Sequence, residues 1–227
     1  VFVRDIGGAG AMAALLKHAV NPNLVQSVER APVFIHGGPF ANIAHGCSSL
    51  AATNMALRLA DYVVTEAGFG VDLGAEKFFH IKCRAGGLTP STAVMVVTLR
   101  AYRLHGIENI RKHLDTLEKF GVPAVVAVNR FVTDDPHDLD DLRSRIADLG
   151  VDAVVTDFRE SGGEGGIELA ARVAELCARP CSFRMLYDLD AGIADKVRIV
   201  AREVYGASGV EFTPQATSEI RAIENMG

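Results

Sequence analysis

The chain contains no tryptophan, and no apolar run in it approaches the roughly 20 residues that a membrane-crossing helix needs. It also lacks any concentration of positive charge. Lysine and arginine are scattered, and 23 of them against 28 Asp and Glu give a formal net charge of -5. That balance argues against a polyanion-binding surface, and so against nucleic acid as a partner. Cysteine is sparse. Cys47, Cys83, Cys177 and Cys181 include one close pair, "CARPC", whose spacing fits neither a zinc ribbon nor a redox CxxC. The thiols therefore read as reduced, and no residue is assigned to a metal. No charged-then-apolar leader opens the chain. Together these absences point to a cytoplasmic protein with no membrane partner. The chain starts at Val1 and enters the helix-like "AGAMAALLKHAV" almost at once, so it reads as a piece of something longer.

What is present is material for a core. Hydrophobic residues make up 49% of 227 positions, enough for one large or two small domains. Short β-branched runs recur, each followed by a glycine-bearing or polar loop and then by apolar residues at helical spacing. "APVFIH", "DYVVTEA", "TAVMVVTL", "PAVVAVNRF" and "VDAVVTDF" are the five strand candidates. Their near-continuous Val, Ile and Ala content requires cover on both faces, as in a parallel sheet between two helical layers. The expected fold class is α/β, a doubly wound and mostly parallel sheet of Rossmann-like or P-loop NTPase-like kind, with a helical appendix at the carboxyl end. Residues 1–181 read as the α/β domain and 182–227 as a mainly helical segment of the same unit, with Thr213 and Pro214 as cap and first turn of a last helix.

In such a sheet, ligands bind beyond the carboxyl ends of the strands, where loops diverge and helix N-termini offer unpaired N–H groups. The polar and glycine-rich residues fall there. In "HGGPFANIAHGC", Gly37 and Gly38 let the backbone turn sharply or approach a ligand, Pro39 removes a donor, and Asn42 can cap a helix beginning near Ile43. The loop fits an anion cradle, and equally a plain strand-to-helix turn. His36 and His45 bracket it; either can donate to an oxyanion or shuttle a proton, or be a satisfied helix histidine. Glu66, Asp72, Glu76 and Lys77 crowd the next loop, where carboxylates either hold Mg²⁺ beside a phosphate or complement a helix dipole. "NRFVTDD" sends Phe131 toward the same crevice, as a stacking face or as core. "ESGGEGG" repeats the glycine-before-helix pattern, as a clamp or a flexible loop.

The stretch "HGGPFANIAHG" resembles a signature of formate–tetrahydrofolate ligases. So do "AGAMAALLKHAVNPNLVQSVE", "LADYVVTEAGFGVDLGAEKFFHIKCR", "GVPAVVAVNRFVTD", "GGEGG", "LYDLD" and "REVYGASGVEFTP", in the family's order and across essentially the whole chain. The resemblance implies an enzyme that joins formate to tetrahydrofolate with ATP and Mg²⁺, through a formyl phosphate that the folate N10 attacks. It also implies a homotetramer and a response to monovalent cations. By position, Gly37, Gly38, Pro39, Phe40, Asn42 and His45 would lie at the formyl phosphate pocket, with His45 and Asn42 as the catalytic candidates. Phe131 would stack on the pterin, and Glu66 would belong to the substrate site.

Departures accompany the likeness. No GxxxxGK[ST] loop occurs here, so the nucleotide grip is not in these residues. The family often carries a Trp just before its GGEG glycines; this chain has "FRESGGEGG", leaving Phe158 as the substitute for the second folate wall. After "LRAYRLHG" the family usually has a longer helical excursion. Two further readings stay open: a non-catalytic relative that binds folate or an acyl phosphate, and an unrelated doubly wound ligase or hydrolase.

Overall fold

The computed structural model describes residues 2–38 and 45–226. They divide into two compact units, Val1–Phe69 and Gly70–Gly227.

The first unit holds helix α1 (Ala9–Leu16), strands β1 (Asn23–Gln26) and β2 (Pro32–Ile35), and helix α2 (Leu50–Leu59). The "APVFIH" run becomes β2, but it pairs antiparallel with β1, Asn23 opposite Ile35 and Gln26 opposite Pro32. A short turn makes this possible. Arg30 N–H donates to the Ser27 carbonyl and Ser27 N–H to the Ala31 carbonyl, and an antiparallel partner needs no crossover helix. The helix start expected near Ile43 lies outside the described residues; α2 begins at Leu50. Ser49 is its N-cap, accepting the Ala52 N–H at 3.0 Å. "DYVVTEA" forms no strand: residues 61–67 join no ladder, since β-branched residues make a strand only beside a free edge.

In the second unit, helical turns of wide, π-type geometry at Val71–Ala75 and Phe78–Cys83 lead into the short α3 (Arg84–Gly86). Strands β3 (Ala93–Val97), β4 (Ala124–Asn129) and β5 (Ala153–Thr156) then form a parallel sheet in that order. Val94 pairs with Val125, Val97 with Val128, and Asn129 with Thr156. Between the strands run α4 (Leu99–Lys119) and α5 (Pro136–Ala147). Thr98 caps the first through the Ala101 N–H, and Asp135 caps the second through the His137 N–H with Pro136 in the first turn. After β5 come α6 (Phe158–Ser161), a glycine-rich turn, α7 (Ile167–Cys177), α8 (Ile193–Glu203) and α9 (Pro214–Glu224). Thr213 caps α9 with its side chain, as the "TP" pair predicts.

Helices cover β4 and β5 on both faces, whereas Val94 and Val96 leave one face of β3 exposed. Met95, Val97, Val126 and Val128 point toward Leu114 and Leu117 of α4 and Leu139, Leu142 and Ile146 of α5. Val125, Ala127 and Val154 meet Leu169, Val173 and Leu176 of α7. Period-two alternation in a strand that is apolar throughout supplies both faces at once. Gly106 interrupts α4 at φ 74°, ψ 175°, so this element is two helices joined at a kink.

Phe120 is fully buried just past α4, 4.7 Å from the ring centre of Phe79 and 4.9 Å from that of His80. Gly121 follows in the left-handed region, φ 71°, and a Cβ there would stand 2.2 Å from the Ser182 carbonyl oxygen. Left-handed backbone costs an L-residue roughly 1–2 kcal/mol before any clash. Gly121→Ala is expected to destabilise the protein by about 2 kcal/mol or more, read as a lower urea midpoint at unchanged slope. A wild-type midpoint would show that the Ser182 strand of chain yields freely.

Candidate functional site

Two neighbouring parallel strands end side by side. Beyond the Asn129–Thr156 pair, the chain of β4 continues as Arg130 and Phe131, and that of β5 as Asp157 and Phe158. The two phenylalanines therefore leave the sheet's carboxyl edge at the same level on adjacent strands. Both are large apolar rings left half exposed, 42% for Phe131 and 47% for Phe158. Phe131 N–H donates to Asp134 Oδ2 at 2.8 Å, which tightens the turn after β4.

Glycine shapes the floor beside Phe158. A Cβ on Gly166 would lie 2.3 Å from Phe158 Cε1, so the phenyl ring rests on the backbone that opens α7. A Cβ on Gly165 would lie 2.3 Å from the Asp157 carbonyl oxygen. "GGEGG" is thus a close-approach sequence, a purpose for which only hydrogen in place of a side chain will do. Arg130 Nη1 reaches Asp157 Oδ2 at 3.4 Å, and Arg130 N–H donates to the Thr156 carbonyl at 2.9 Å, tying the two strand ends together.

The other residues expected at a site belong to the first unit. Gly37 takes φ 79° and is exposed, as is Gly38. His45 is half-buried and Glu66 exposed. Pro39, Phe40 and Asn42 lie outside the described residues. His36 is fully engaged locally. Its Nε2–H donates to the Ala19 carbonyl at 2.7 Å, because a carbonyl can only accept; Nδ1 then accepts from the Ser49 hydroxyl at 2.6 Å. The histidine ahead of the glycine loop is a strut between the α1 turn and the cap of α2.

Glu76 is likewise committed. Its Oε1 accepts from His80 Nδ1 at 2.6 Å, and His80 Nε2 accepts the Leu186 N–H at 3.2 Å, which fixes the tautomer of a ring with no exposed side-chain surface. Arg84 adds donations to the carbonyls of His80 and Tyr187. Burial raises Tyr187 above the ordinary phenol value, the Glu76 carboxylate adding to it and Arg84 opposing. This network clasps the 183–187 segment to the wide helical turns. It is cohesion, with Glu76 Oε1 committed to His80. Among the described residues no group of three or more His, Cys, Asp or Glu is arranged to hold a metal.

Asp72 faces His113, Oδ1 to Nδ1 at 3.9 Å, too far for a hydrogen bond. Two open depressions, about 360 and 330 Å³, flank α8: one is lined by Lys119, Arg184 and Glu203, the other by Tyr187, Val197 and Tyr205. In the first, hydrogen bonds from Lys119 and Arg202 pull the Glu203 carboxyl below its ordinary value. Neither depression includes Phe131 or Phe158.

The arrangement defines an α/β protein whose exposed rings and charges gather where parallel strands end. The chain belongs to the formate–tetrahydrofolate ligase family, whose sequence model matches residues 1–227. It is 48% identical over 246 aligned residues to a formate–tetrahydrofolate ligase of Symbiobacterium thermophilum, covering all of this chain and 44% of that relative. The chain therefore spans less than half the length of the curated relative it matches. Among the described residues no helix is long and apolar enough to cross a membrane.

The Arg130–Asp157 tie escaped sequence reading, although an Asp directly before a short polar helix is an N-cap signal. His113 generates a pH dependence. Burial lowers its pKa from the ordinary 6.5, with Lys112 and His105 adding to the effect and Asp72 opposing. The folded form thus refuses a proton that the unfolded chain accepts. The stabilisation is present above the unfolded value and lost as pH falls through the folded one. The urea midpoint should drop between about pH 7.5 and about pH 5.5, and His113→Gln should flatten part of that drop. An unchanged profile in His113→Gln would remove His113 as a source of the acid sensitivity.

Proposed function

We propose that this chain is the folate-side portion of an enzyme that ligates formate to tetrahydrofolate, giving 10-formyltetrahydrofolate. Family membership supports the reaction, and one observation supports the role of these residues: two half-exposed phenyl rings leave adjacent parallel strands at one level. Phe131 and Phe158 form the walls of a slot for the flat pterin, Phe158 standing in for the absent tryptophan. In the complete protein the three strands belong to a doubly wound, Rossmann-like sheet, with 1–181 as its α/β part and 182–227 as its helical appendix.

The chemistry asks for two things: an activated formyl group and a sheltered amine to receive it. Formate is activated as formyl phosphate, whose carbonyl carbon the N10 amine attacks while phosphate leaves. The exposed backbone at Gly37 and Gly38, with Pro39, Phe40 and Asn42, forms the anion-holding loop. His45 and Asn42 act on the acyl transfer, and Glu66 lies on the substrate side. With no GxxxxGK[ST] loop in these residues, the phosphate grip on ATP and its Mg²⁺ is assigned outside them. Their binding, and that of a monovalent cation, falls to the rest of a cytoplasmic, homotetrameric protein.

Phe131→Ala in the complete protein is expected to weaken tetrahydrofolate binding about fivefold, the equivalent of roughly 1 kcal/mol of stacking, and to leave ATP binding as it was. Calorimetric titration with each ligand reads this directly, and equal losses for both would reject the slot. His45→Asn should lower turnover with a nearly unchanged melting temperature; a large melting shift would make His45 a packing residue instead. A complete protein that binds tetrahydrofolate yet releases no ADP in the presence of formate would be a non-catalytic relative.

A further inference from the structure

Asp157 occupies the junction at which four separate features of the second unit meet. Its Oδ2 faces Arg130 Nη1 at 3.4 Å, across the gap between the ends of β4 and β5. Its Oδ1 accepts the Glu160 N–H at 3.3 Å and so caps α6, the helix that Phe158 begins. Its backbone N–H donates to the Gly165 carbonyl at 3.3 Å. Its own carbonyl accepts the Ser161 N–H at 3.0 Å and presses against the Cα of Gly165. The carboxylate is 22% exposed, whereas its partner guanidinium is 44% exposed.

We propose that Asp157 is the positioning residue of the folate slot: through Arg130 on one side and the α6 turn on the other, it sets the spacing between the rings of Phe131 and Phe158. The proposal rests on the slot reading given above. Arg130 is the residue before Phe131, and Phe158 is the residue after Asp157. One carboxylate therefore governs the backbone immediately adjoining each ring. Without it, the strand ends keep their ladder, since Arg130 N–H still bonds to the Thr156 carbonyl. What loosens is the exit direction of the two loops. A slot for a planar ring depends on that direction, because stacking falls off once the faces splay.

The carboxylate has two jobs, and two substitutions separate them. Asparagine caps a helix as well as aspartate does but carries no charge for Arg130, whereas alanine does neither. In the complete protein, Asp157→Ala is expected to raise KM for tetrahydrofolate about fivefold, with KM for ATP and formate and kcat held within about twofold. Asp157→Asn should recover most of that loss if the α6 cap is the main hold, and little if Arg130 is. Either result supports the positioning role. Phe131→Ala serves as the parallel control. Should Phe131→Ala raise KM for tetrahydrofolate while both Asp157 variants leave it untouched, the inference fails and the slot stands. If none of the three variants moves that KM, the slot itself is lost and the inference with it. Losses spread equally over all substrates, in step with a falling melting temperature, would make Asp157 a residue of general stability and overturn the proposal.

Discussion

The second unit depends on one strand buried on both sides. Val125, Val126, Ala127 and Val128 of β4 have almost no exposed surface, and each contributes to one of the two apolar layers. A parallel strand in that position can satisfy its backbone only through both neighbours, so β3 and β5 are fixed in register by it. The register in turn decides that Phe131 and Phe158 emerge level with each other. Site geometry here is a consequence of ladder arithmetic. No side-chain contact between the two rings is needed to bring it about.

Polar groups buried away from that site show a different economy. His80, Glu76 and Arg84 satisfy one another and the carbonyls around them, fastening the 183–187 segment to the wide helical turns. Lys82 is buried as well, its ammonium 5.3 Å from the ring centre of Phe78. At the far end of α8, Lys112 and Lys119 both donate to the Glu203 carbonyl, supplying positive charge where a helix leaves its carbonyls unpaired. These clusters consume charge locally. The carboxyl edge of β4 and β5 pairs Arg130 with Asp157 but leaves two rings half exposed to solvent.

Legibility followed burial. "PAVVAVNRF" and "VDAVVTDF" became β4 and β5 with both faces covered, which is what a continuous apolar run encodes, whereas "TAVMVVTL" became β3 with Val94 and Val96 exposed on one face. "APVFIH" and "DYVVTEA" also carry β-forming residues, yet one forms an exposed antiparallel hairpin and the other no ladder, since their fate is set by which edge is available. Within the candidate site, the residues alone left Phe131 between stacking face and core, which its 42% exposure decides against core, and left "GGEGG" between clamp and flexible loop. The role of His36 was not legible: its two partners, Ala19 and Ser49, are 17 and 13 residues away, and nothing local announces them. The Arg130–Asp157 tie spans 27 residues and hides for the same reason.

The break in α4 has a bearing on tolerance of length as well as on shape. Gly106 leaves the helical path at a point where an added Cβ would meet open space, and the helix on either side keeps its own footing. The alignment with the bacterial relative runs to 246 positions against the 227 residues here. A seam of this kind lets a stretch of chain be spliced in or trimmed out without disturbing the sheet. Chain length can change at such a kink while the strand ends keep their spacing.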